Sequence, residues 1–67
     1  MSHAEQTAFN VALAACVLRE CRAMFADGLS IDAVNYAMHH IVAESERRLK
    51  LANPWMRKCV GTTPDMH

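Results

Sequence analysis

The chain has 67 residues, 52% of them apolar, with seven basic and seven acidic side chains and a formal net charge of zero. That length allows one domain at most, spanning 1–67, whose core covers only about 60% of the surface exposed on unfolding. Zero net charge removes any global steering toward nucleic acid or an anionic membrane, and the apolar content excludes compositional disorder.

A predicted helix covers 3–26. Ser2-His3-Ala4-Glu5 has the capping-box pattern, in which the serine accepts from the third helical N–H and the glutamate reaches back. No breaker follows until Asp27-Gly28, where glycine suits a left-handed stop. At 100° per residue, Phe9, Leu13, Cys16, Val17 and Met24 fall on one side. Val11, Leu18 and Phe25 fall on another, with Ala8, Ala12, Ala14 and Ala15 between. The apolar arc is about twice the ~100° that one buried stripe needs. A second covering surface is therefore expected, most simply a second copy, with Phe9, Leu13, Cys16, Val17 and Met24 as the expected dimer interface. The longest apolar run, Val11 to Leu18, has eight residues, far short of the ~20 needed to span a bilayer.

Within this helix Leu13-Ala14-Ala15-Cys16 resembles a lipobox. Residues 1–8 supply no Lys or Arg for its basic leader, and Asn10 interrupts the apolar stretch. The reading is a cytoplasmic protein with no membrane contact. Three cysteines, an odd number, fit small apolar fillers in a reducing compartment.

The next predicted helix covers 31–52. Ser30 is its N-cap, Asp32 lies near the positive end of its dipole, and Leu29 and Val34 occupy the staple positions. Ile31, Val34, Met38, Ile41 and Ser45 follow three- and four-residue steps and form a seam, widened by Val42 and Leu49. The short turn between the helices favours an antiparallel hairpin. Asn53-Pro54 ends the second helix and starts a short third one over 54–60, with Asn53 as its N-cap, Pro54 at N1 and Gly61 as its stop. Residues 62–67 read as a frayed tail. The expected fold is all-α: an antiparallel helical hairpin with a short third C-terminal helix, dimerising into a four-helix-bundle-like core.

Chemistry-bearing groups are sparse. His39 and His40 point about 100° apart on a helix and cannot easily share a metal ion. His40 and Glu44 offer only two ligands, where zinc takes three or four. Cys59 beside Arg57 and Lys58 has no evident base, and there is no glycine-rich phosphate loop. Neither an enzyme nor a cofactor is expected. The strongest local signal is charge. Arg47, Arg48, Lys50, Arg57 and Lys58 crowd five of the seven basic residues into twelve positions, with Trp55 and Met56 among them. Tryptophan and arginine are enriched at binding hot spots, although basic residues also complement a helix C-terminus and a tryptophan can simply close a core.

Length, helical content and the lack of catalytic groups are similar in kind to small accessory proteins of phages and plasmids, a likeness of type that assigns no residue roles. The expected function is a non-enzymatic regulator or inhibitor. It would bind a larger protein partner through Arg47, Arg48, Lys50, Trp55, Arg57 and Lys58, and act as a homodimer. The alternatives are a nucleic-acid-binding transcriptional regulator using the same cluster and a metal-responsive helical protein.

Overall fold

The first helix begins and ends on local chemistry. In the computed structural model, which describes residues 2–61, α1 spans His3–Ala26. Ser2 Oγ accepts from the Glu5 N–H at 3.0 Å, and the Glu5 carboxylate accepts from the Ser2 N–H at 3.2 Å. At the other end the Leu29 N–H donates to the Met24 carbonyl and the Gly28 N–H to the Phe25 carbonyl, at 3.1 and 3.0 Å. These are the two bonds of a Schellman stop, and Gly28 sits at φ +93° as that stop requires. The short helix α2, Ile31–Tyr36, starts on Ser30, whose Oγ accepts from the Ala33 N–H at 3.1 Å.

The expected helix over 31–52 is two pieces. At Ala37 the backbone enters the bridge region (φ −85°, ψ −1°), and α3, Met38–Ala52, resumes beyond it. Flanking bonds persist, from the Ala37 N–H to the Ala33 carbonyl and from the Ile41 N–H to the Ala37 carbonyl. Neither proline nor glycine lies nearby, so the sequence carries no punctuation for this break. The expected seam holds from Val34, with Ile41 and Ser45 buried as well, while Ile31 at its head is 74% exposed.

The short third helix is a 3-10 turn, η1, over Pro54–Lys58. Asn53 does not cap it by side chain. Its Nδ2 instead donates to the Leu49 carbonyl at 3.1 Å, closing the end of α3. Gly61 is not a left-handed stop, since Gly28 alone has positive φ among the described residues. Gly61 matters through close approach, because an added Cβ would collide with the Glu46 carboxylate. The expected tail over 62–67 lies outside the described residues.

The chain is all-helical, with α3 packed antiparallel to α1 and η1 folded back over the first half of α1. Arg48 meets Glu20, and Lys58 meets Glu5, so the order along α1 reverses. The central core is Phe9 and Leu13 from α1 with Met56 and Cys59 from η1 and its end, edged by Ala12, Val17, Val42 and Leu49. Of the expected dimer-interface residues, Phe9 and Leu13 have essentially no solvent exposure within one chain, where η1 covers them. Val17 is half-buried against them, and Cys16 and Met24 are half-buried elsewhere on α1. The molecule is flat, with extents of 39 × 28 × 17 Å and a radius of gyration of 12.8 Å, against about 11 Å for a compact chain of this length.

Candidate interaction surfaces

Of the expected partner-binding cluster, four of five cations are occupied within the chain. Arg47 grips Glu44 with two nitrogens, the Nε contact at 3.1 Å. Arg48 reaches Glu20 and Glu44 at 3.7 and 3.9 Å. Lys50 pairs with Glu46 at 2.8 Å and lies 5.6 Å from the centroid of the Phe9 ring. Lys58 pairs with Glu5 at 3.0 Å. Among the described residues Arg57 alone of the five has no carboxylate partner. The group is also dispersed. Glu20 and Glu5, where Arg48 and Lys58 land, are fifteen residues apart on α1, roughly 22 Å. Density along the chain therefore does not become one basic patch in space.

The pairing leaves an electrostatic signature. The Lys58 hydrogen bond, helped by the Ser2 N–H, holds the Glu5 carboxyl below its ordinary range. Arg47 does the same to Glu44, and Glu44 in turn raises the Arg47 guanidinium. These are solvent-exposed pairs, which position side chains more than they stabilise the fold.

Trp55 does not close the core; Met56 does. Trp55 is 40% exposed and forms one wall of a shallow depression with Ala4, Glu5 and Ala8 of α1. Leu51 and Val60, the other large apolar residues of this end, are exposed too. Gln6 ties the segment down from both sides. Its Nε2 donates to the Val60 carbonyl at 2.8 Å, and its Oε1 accepts from the Val60 N–H at 3.0 Å.

His39 and His40 are both exposed, and no group of three His, Cys, Asp or Glu residues is placed to hold a metal ion among the described residues. Cys16 and Cys21 are half-buried, and Cys59 is buried with its thiol directed at the Glu5 carbonyl, 3.9 Å away. A groove between α1 and α3 is lined by Cys16, Arg19, Glu20, Ser45, Arg48 and Leu49, among others, with Arg48 and Glu20 bridging it.

The surface that sequence reasoning undervalued is the outer face of α1. Val11, Leu18 and Phe25, at steps of seven, remain 65%, 53% and 46% exposed. Their spacing was visible, but nothing local distinguished them from the inner face. No helix among the described residues is long and apolar enough to cross a membrane. Comparison of the chain with protein-family models, with curated proteins and with solved structures finds no match.

Proposed function

We propose that this chain is a small non-enzymatic regulator or inhibitor that works in the cytoplasm as a homodimer and occludes a surface of a larger protein. The observation that carries the reading is an imbalance. Nine large apolar side chains lie exposed among the described residues, against six apolar side chains buried. Exposed apolar surface on that scale is what protein contacts cover. The anchor toward the larger partner is Trp55 with Arg57, an exposed aromatic and a cation with no carboxylate partner among the described residues, both on η1. Arg47, Arg48, Lys50 and Lys58 serve as rim residues, since their charge is already matched inside the chain. The same matching argues against a nucleic-acid role, which needs cations free to replace counterions on phosphates.

The test is capture of the partner from the native host by the full chain and by a Trp55→Ala, Arg57→Glu double variant. The variant is expected to keep its helical signal and to capture the same protein at least about tenfold less efficiently. A variant that folds and captures it undiminished overturns the assignment of this surface.

A further inference from the structure

Three candidates remain outside the proposed partner site. They are the groove between α1 and α3, the exposed histidine pair, and the outer face of α1. Side chains of the chain itself bridge the groove, and the histidines lack a third ligand among the described residues. The outer face of α1 carries an inference through its own sequence order.

We infer that a second copy of this chain docks on the outer face of α1, the two α1 helices running antiparallel and crossing at Ala14 and Ala15. This rests on the homodimer of the proposed function and gives it an interface. Opposite the inner residues Phe9 and Leu13, the outer line of α1 reads Ala4, Val11, Leu18, Phe25. An antiparallel pairing in which facing residue numbers sum to 29 sets Val11 on Leu18 and Ala4 on Phe25, small against large. The flanking positions then meet their own kind. Ala14 faces Ala14 on one side and Ala15 faces Ala15 on the other, so small side chains let the backbones approach at the two-fold axis. Antiparallel packing also opposes the two helix dipoles favourably.

The charges fit the same register. Arg22 is the one charged residue among those flanking this line, and no ion pair holds it within the described residues. The pairing brings Arg22 of the second copy level with Ala8. There the Glu5 carboxylate, at the rim of the depression beside Ala4 and Ala8, is the group of opposite charge it would meet. Size constrains the pairing as well. A 24-residue helix is roughly 36 Å long, and a strip as wide as the helix, about 11 Å, covers on the order of 400 Å² per copy. The total, about 800 Å², approaches the roughly 1,000 Å² of a specific interface, so residues beyond the α1 line must join the contact.

The experiment is sedimentation equilibrium of the full chain beside a Leu18→Glu variant, with register read from a Thr7→Cys variant under oxidised glutathione. The wild type is expected to be a dimer at micromolar concentration. Leu18→Glu should remain helical and raise the dimer dissociation constant by roughly a hundredfold or more, since a carboxylate set against Val11 of the second copy must be desolvated on association. The new sulfur at position 7 should link to Cys21 of the second copy. The same two positions within one helix are about 21 Å apart and cannot bridge. A wild type that stays monomeric overturns this inference and the homodimer together. A dimer that tolerates Leu18→Glu overturns the seam and leaves the homodimer standing. If Leu18→Glu fails to fold, the disulfide map decides, and links of position 7 to itself, or none to Cys21, overturn the antiparallel register.

Discussion

The two ends of the molecule are held by different means. At the end containing the first turns of α1, η1 is fastened by side chains from distant parts of the chain: Lys58 to Glu5, the two-way Gln6–Val60 contact, and Met56 and Cys59 against Phe9 and Leu13. At the end containing the α1–α2 turn, the fastenings are backbone bonds of a helix stop and one serine cap. Phe25, Leu29, Ile31 and Tyr36 stand exposed around it. The first end is a core closed by tertiary contact. The second is a turn defined by local geometry, with Val34 buried in α2 and its other large apolar residues exposed.

The largest effect is expected from breaking the closed end. Phe9→Ala removes a fully buried ring that also underlies Lys50. Its cost, about 3–5 kcal/mol, is comparable to the whole stability of a domain this small, so the cooperative thermal transition should be lost. Leu13→Glu should unfold the chain outright rather than merely separate copies, because Leu13 is interior to one chain. Circular dichroism melts at two protein concentrations distinguish the two outcomes.

A smaller effect is expected at the open end. Gly28→Val finds open space around its side chain, so only the backbone objects, at φ +93°. The cost should be about 1–2 kcal/mol, read as a lower urea midpoint, with amide exchange accelerating near residues 24–30. Equal midpoints would mean that the turn rebuilds without its left-handed residue.

The smallest effect separates the ends by pH. Glu5 has a folded-state pKa below its unfolded value, so its contribution is present above the unfolded value, about 4.3, and is lost as pH falls through the folded one. Acidification below about pH 4 should therefore loosen the closed end, where Lys58 holds Glu5, while the α1–α2 turn persists. Amide exchange at Val60 and at Leu29, followed from pH 6 to pH 3, would show Val60 changing first. Simultaneous change would contradict the division.

What could be read from the sequence follows the same division. The caps at Ser2 and Ser30 and the glycine stop at Gly28 are local chemistry, settled by a few consecutive residues, and each stands as expected. The break at Ala37 has no local signal and was missed. The inner and outer faces of α1 could not be told apart, since both are apolar and only Met56 and Cys59, more than forty residues away, decide between them. The crowding of basic residues and the nearby Glu44 and Glu46 are both legible in the sequence, and the structure pairs them at helical spacing, Glu44 with Arg47 and Glu46 with Lys50. Charge reversal at Arg48 is consequently a poor probe of binding, because it would set a carboxylate against Glu20 and Glu44. Arg57 remains the clean one.

The dependence of α1 on η1 also has a consequence in time. During synthesis at about 5–20 residues per second, Leu13 is made some 46 residues before Cys59, an interval of a few seconds. Throughout it, Phe9 and Leu13 lack the cover that Met56 and Cys59 later supply. Closing a loop of that length is the entropic step that folding must cross, and nothing local shortens it. The nascent chain is thus most exposed to aggregation and to chaperones before η1 arrives, and changes in η1 should lower yield more steeply than they lower the stability of protein already folded.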